Sequence, residues 1–277
     1  MAVQEKVQWA KKKWYLRNLI VIYERDSKAV YSSESDLWGN VILKVNRDTE
    51  ELASEYSMLI EMAGKCSCRV FAYDAEQGVL IEERITPGLV LRKEEDVEVR
   101  VKHFLNVFRN IHKRIDNVQS STSYLDWLRK ADDFCMDHNV DILITNNMHK
   151  ARCIGEELFC KYADRVLLHG DLHHDNMIRN DKGIYYMIDP KGVIGPEIFD
   201  LPRYILNEMD YVSESEYKNH VFQIAEMISS KSEYPLNDII KLFFMEVMLA
   251  NVWCIEDNEE PSLNQIQIAE ELMNDIY

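Results

Sequence analysis

The chain has 277 residues, 47% hydrophobic and 29% charged, with 32 Lys+Arg against 48 Asp+Glu and a formal net charge of −16. That length suits one large domain or two smaller ones, and the composition is that of a soluble globular protein. The acidic balance argues against a nucleic-acid binder, whose phosphate contacts come from Lys and Arg, and fits a cationic or neutral partner.

Met1–Tyr15 lacks the apolar core of an export signal. The most apolar segment, Leu242–Ile255, is broken by Glu246 and Asn251, short of the roughly 18 uninterrupted apolar residues of a membrane span. The expectation is a cytoplasmic protein, monomer or homodimer, with no membrane contact. Its six cysteines have no paired zinc spacing and read as free thiols.

Leu19–Arg25, Ala29–Ser33 and Asn40–Val45 are β-prone runs separated by polar turns, an antiparallel meander. Leu52, Tyr56, Leu59 and Ala63 then recur at helical spacing after an Asp48 or Thr49 cap, and Arg69–Tyr73 and Val79–Ile85 read as two more strands. Pro87-Gly88 ends this small α+β lobe, 1–86. The rest, 87–277, is dominated by helical patterns: Glu94–Ile115, Tyr124–His138, Met148–Ala163, Glu214–Ile228, Leu236–Ile255 and Leu263–Ile276. One irregular polar island, Val166–Asp200, interrupts them, with a short strand at Val166–Leu168 and a hairpin of Met177–Arg179 with Tyr185–Ile188. Chemistry is expected there.

The island contains HGDLHHDN (His169–Asn176) and IDPKG (Ile188–Gly192). Asp171, Asn176 and Asp189 have the spacing of a kinase catalytic apparatus: a base carboxylate, an Asn in D-x-x-x-x-N, and a second metal-binding Asp. Transfer of a phosphoryl group to an alcohol needs a carboxylate to orient the hydroxyl and accept its proton. It also needs hard oxygen ligands that hold Mg²⁺ against the phosphates. Lys44, in the apolar run Val41–Val45, matches the third-strand lysine of kinases; Glu55 is its expected helix partner, with Glu51 competing one turn earlier.

These motifs resemble the aminoglycoside phosphotransferase superfamily, most closely its streptomycin 6-phosphotransferase and hydroxyurea-resistance kinase branch. The resemblance implies a two-lobed protein-kinase-like α+β fold, with a small antiparallel-sheet N-lobe that binds nucleotide and a mostly helical C-lobe holding the catalytic loop and acceptor site. It implies Asp171 as catalytic base, Asn176 and Asp189 as Mg²⁺ ligands, and Lys44, held by Glu55, on the phosphates of ATP or GTP. Glu83-Arg84-Ile85 resembles the hinge, with Glu83 and Ile85 offering backbone groups to the adenine. The implied activity is ATP-dependent phosphorylation of a hydroxyl on an aminoglycoside-type, streptomycin-like antibiotic. The alternatives are a same-fold kinase of an amino alcohol or sugar, and a nucleotide-binding pseudokinase.

The first β-turn, Glu24–Lys28, has no glycine, which leaves Ser27 as the candidate to cover the phosphates. His169 reads as a structural hydrogen-bonding residue, and so do His173 and His174, which lack a third ligand at zinc spacing. Lys191 reads equally as a neutraliser of carboxylates or a phosphate contact. Asp200, before Leu201-Pro202, reads as a helix N-cap. Glu246, Asn251, Glu256 and Asp257 read as solvated surface or, less simply, as groups facing a cationic substrate.

Overall fold

The strand-prone runs near the N-terminus form an antiparallel sheet in the computed structural model, which describes residues 2–64, 66–112, 114 and 122–276. The first elements are α1 (Val3–Lys13), β1 (Leu16–Glu24), β2 (Lys28–Ser35), β3 (Gly39–Asn46), α2 (Thr49–Glu61), β4 (Val70–Asp74), β5 (Val79–Glu83) and β6 (Pro87–Val90). Next come α3 (Val97–Ile111), α4 (Tyr124–Asp137), α5 (Ile142–Lys161), β7 (Val166–Leu168), β8 (Met177–Asn180) and β9 (Tyr185–Met187). Last are β10 (Val193–Gly195), α6 (Pro202–Glu208), α7 (Tyr217–Lys231), α8 (Leu236–Glu256) and α9 (Leu263–Asp275). Ile115, the expected end of the third helix, lies outside the described residues.

The chain divides into two units, Met1–Lys93 with Asp175–Gly192, and Glu94–His174 with Val193–Tyr277. The first unit holds a five-stranded sheet of order β1-β2-β3-β5-β4, every neighbouring pair antiparallel. Period-2 alternation explains its core: Val41, Leu43 and Val45 of β3 and Val79 and Ile81 of β5 are buried together with Val7 and Ala10 of α1. The Asp48 carboxylate caps α2 by accepting the Glu50 and Glu51 backbone N–H groups. This unit also owns the hairpin of β8 and β9, which sequence pattern alone assigns to the C-terminal lobe. The reason is a strand the pattern does not reveal: β6 pairs with β8, making a three-stranded sheet β6-β8-β9.

Among its described residues, the second unit is mostly helical, with one strand pair, β7 and β10. Its central helix is α8, whose buried residues run round the whole cylinder from Ile239 through Phe243, Phe244 and Val247 to Val252. α5 begins at Ile142, six residues before the helical pattern suggests, because Asp141 caps it through the Leu143 N–H. A Cβ built on Gly155 of α5 would lie 2.3 Å from Leu128 Cδ1 of α4, so the Leu128 side chain packs directly over the bare glycine. No helix among the described residues is long and apolar enough to cross a membrane.

Candidate active site

Strand pairing places the first cluster. β3 is the middle strand of the five, and the register sets Ile42 opposite Glu82 and Lys44 opposite Leu80. Glu82 is therefore the diagonal neighbour of Lys44 on the same face. The Lys44 ammonium pairs with Glu82 at 3.0 Å, with Glu55 of α2, and with Asp189 just beyond β9. Glu55 reaches it because Leu52, Glu55, Met58 and Leu59 form the buried face of α2. The competing Glu51 faces elsewhere, accepting from Asn46 at 2.8 Å and from Lys191 at 3.2 Å.

The hairpin register brings the other residues to this unit. Met177 lies opposite Met187, and the Ile188 N–H donates to the Asn176 carbonyl at 3.0 Å. Asn176 and Asp189 thus share one end of the hairpin. Asp189 has φ 57°, a left-handed conformation that Asp tolerates better than most residues, and its side chain is half exposed. Gly192 follows at φ 67°, where a Cβ would meet the Ser54 carbonyl oxygen at 2.8 Å. The segment after Asp189 therefore runs close against the backbone of α2.

Electrostatically the cluster is unbalanced. Burial opposes the Lys44 charge, but Asp189, Glu55 and Glu82 outweigh it and hold the ammonium well above the usual lysine range. Burial pushes the Glu55 carboxyl up to about 7 and raises Glu82 as well, with Lys44 opposing both. Three carboxylates against one ammonium leave a formal −2 (−3 + 1), and carboxylate oxygens of Glu55, Glu82 and Asp189 lie within 4.8 Å of one another. Glu55 and Glu82 are buried against Lys44, whereas the half-exposed Asp189 carboxylate offers a hard oxygen donor of the kind that fits a divalent cation such as Mg²⁺. Sequence reasoning missed Glu82. Its only local signal was a charge at an alternation position in an apolar strand.

These groups line a cavity of about 600 Å³ in the first unit, together with Ile22, Val30, Ile42, Ile85 and Ile178. An apolar chamber with a few convergent charges is the usual form of a small-molecule site. Glu83 lines it too, but its carboxylate is held by Arg69 through two bonds of 3.0 and 3.1 Å, and its backbone N–H donates to the Arg69 carbonyl at 2.8 Å. Lys28, Arg84 and Lys191 add three cations to the lining; Ser27, a candidate from sequence for covering phosphates, does not line it.

Asp171 belongs to the second unit, on the loop after β7. This loop is held from below by Asp200, whose buried carboxylate accepts the His169 N–H at 2.8 Å and the Gly170 N–H at 2.7 Å, and also meets His112 Nε2 at 2.8 Å. Asp200 is therefore not a helix cap: α6 starts without a side-chain cap, and the carboxylate serves backbone donors about 30 residues upstream. His169 is fully buried, and its Nδ1 accepts the Asp171 N–H at 3.2 Å. Asp171 Oδ1 lies 3.4 Å from Arg203 Nε and 3.7 Å from His173 Nε2.

Arg203 in turn pairs with Glu246 at 2.8 Å and sits over the Trp253 ring. Glu246 is 1% exposed and also accepts the Tyr124 hydroxyl, so it is an interior residue and not solvated surface. His174 is buried in a separate cluster, with Nε2 2.8 Å from Glu208. Glu208 also binds Arg100 at 2.9 and 2.7 Å, Tyr204 at 2.8 Å and His220 at 3.1 Å.

Comparison with known proteins gives this arrangement a context. The family described as aminoglycoside/hydroxyurea antibiotic resistance kinase matches residues 13–258. Among solved structures, the choline kinase LicA from Streptococcus pneumoniae superposes with a TM-score of 0.66 at 16% identity, covering 98% of this chain and 99% of that one. A ternary complex of the aminoglycoside phosphotransferase APH(4)-Ia with ADP and hygromycin B gives 0.70 at 12% identity, covering 97% and 96%. A choline/ethanolamine kinase family protein from Mesorhizobium loti gives 0.64 at 12%, covering 98% and 93%. At such identities these likenesses establish the fold, which is protein-kinase-like. No curated protein matches the chain.

Proposed function

Since the chain belongs to the aminoglycoside/hydroxyurea antibiotic resistance kinase family, and is thus a small-molecule phosphotransferase that binds a nucleotide, we propose that it phosphorylates a hydroxyl of an aminoglycoside-type antibiotic, streptomycin-like by preference. The observation that carries the reading is the Lys44 cluster: a lysine, a helix glutamate eleven residues on and the island's distant Asp189 meet at one cavity. Lys44 positions the phosphates of ATP, or of GTP, and Glu55 holds its ammonium in place. The backbone of Glu83 and Ile85 faces the purine.

Asp171 orients the acceptor hydroxyl and takes its proton as the γ-phosphoryl group is transferred in line. Asn176 and Asp189 would hold Mg²⁺, which when bound neutralises phosphate charge. The net charge of −16 supports a cationic acceptor. The fold shared with choline kinases favours one second reading, an amino-alcohol acceptor.

The test is mass spectrometry of reactions containing the protein, Mg-ATP, and a panel of aminoglycosides with streptomycin, choline and ethanolamine. We expect a gain of one phosphoryl group on an aminoglycoside, and fragmentation then locates the hydroxyl. A gain on an amino alcohol alone replaces the first reading with the second, and ATP binding with no transfer to any acceptor removes both. Asp171→Asn should lower turnover on the order of 10³-fold with the fold retained. Normal turnover in that variant would remove Asp171 as the base.

A further inference from the structure

Outside the kinase apparatus, a thiol, an imidazole and a carboxylate meet on α4 and α5 of the second unit. His149 and Cys153 are one turn apart on α5, and Cys153 Sγ lies 3.9 Å from His149 Nε2. The other ring nitrogen, Nδ1, is 3.2 Å from Asp132 Oδ2 of α4, the same oxygen that Arg152 Nη1 approaches at 2.9 Å. Asp132 is 1% exposed, and its second oxygen, Oδ1, has no hydrogen-bond partner among the described residues. A buried carboxylate on Nδ1 favours the tautomer with its proton there, which leaves Nε2 as an acceptor facing the sulfur. Cys153 itself is exposed.

We propose that Cys153 is a thiol modification site, activated by His149 with Asp132 as its positioning residue, and that it takes low-molecular-weight disulfides. In the step, the Cys153 S–H proton passes to His149 Nε2 and the thiolate attacks one sulfur of the disulfide RSSR. A Cys153–S–S–R bond forms and the original S–S bond breaks. The departing RS⁻ recovers the proton as RSH, so Cys153 is oxidised and the released half is reduced. The other cysteines are poorer candidates. Burial pushes Cys135 up to about 11 and Cys68 well above the usual thiol range, and it also raises the half-buried Cys66 and Cys254. Cys160 is exposed on the same helix and makes an internal control, with Arg165 as its charged neighbour.

The test incubates the full chain with oxidised glutathione near neutral pH and follows adducts by intact mass and peptide mapping, with iodoacetamide alkylation as a smaller probe. His149 is more than half exposed, so His149→Asn should fold. The expected result is an adduct at Cys153 that forms about tenfold more slowly in His149→Asn, by both reagents, while the Cys160 rate stays within about twofold. A Cys153 rate unchanged by His149→Asn, or no adduct at Cys153, overturns the proposal.

Discussion

Each unit of this protein buries a cluster of charge, and the two clusters are built on opposite rules. In the first, one ammonium is surrounded by three carboxylates, one of them half exposed. In the second, one carboxylate, Glu208, is surrounded by a guanidinium, two imidazoles and a phenol, and nothing in it but His220 touches solvent appreciably. Burial alone would raise the Glu208 carboxyl, yet bonds from Arg100, His174 and His220 drive it far below the usual carboxylate range. Glu208 is fully satisfied and has no capacity left for a ligand. The Lys44 cluster carries surplus negative charge and lines an open cavity, where on the proposed reading a cation and the nucleotide phosphates would bind. On that reading buried charge is structural in the second unit and ligand-binding in the first.

The largest effect should come from Asp189→Asn, which removes the half-exposed carboxylate from the surplus side. Turnover should fall on the order of 10²–10³-fold, while stability changes by less than about 1 kcal/mol, measured by steady-state kinetics and urea unfolding of one preparation. A variant destabilised by several kcal/mol that keeps its turnover would break the comparison. Glu208→Gln should do the reverse. It strands a buried Arg100 and should cost about 3–5 kcal/mol, read as a lower urea midpoint at constant slope, with KM for the nucleotide unchanged in the folded fraction.

The same residue predicts the direction of a pH effect. A carboxyl whose folded pKa is depressed contributes stability above its unfolded pKa, about 4.5, and loses it as pH falls further. The stability gap between wild type and Glu208→Gln should therefore be full at pH 7 and narrow progressively below about pH 4.5. A gap that widens on acidification would reverse the assignment. The smallest effect is expected for Glu82→Gln, which lowers the surplus by one charge and leaves Glu55 on Lys44. Nucleotide KM should move by about two- to fivefold with stability equal to or slightly above wild type. A loss as large as that of Asp189→Asn would make Glu82 part of the ligand-binding set.

What sequence could reveal here follows the range of the interactions involved. Lys44 and Glu55 were legible because a strand-borne lysine and a helix glutamate eleven residues on are a local signature, reinforced by the island's spacing. Glu82 was not, since its closeness to Lys44 arises from cross-strand register, which no window of sequence contains. Asp200 was misread for the same reason: Asp-Leu-Pro looks like a cap, and its real partners are the backbone amides of His169 and Gly170. Glu246 looked like a surface charge because its counter-ion, Arg203, comes from another helix. β6 carried no strand signal beyond Pro87-Gly88, and only its pairing with β8 defines it.

That pairing has a consequence for how the protein is made. The first unit is interrupted by residues 94–174, so a ribosome releases the five-stranded sheet and β6 well before the hairpin that finishes the unit. At about 5–20 residues per second, synthesis of the intervening segment leaves β6 without its partner for roughly 4–16 s. During that interval the nascent chain displays an unpaired strand edge, and Lys44 has Glu55 and Glu82 but not Asp189. The Lys44 cluster thus cannot be complete before the chain is two-thirds synthesised, and fragments truncated ahead of Asp175 should be the species that chaperones and proteases meet.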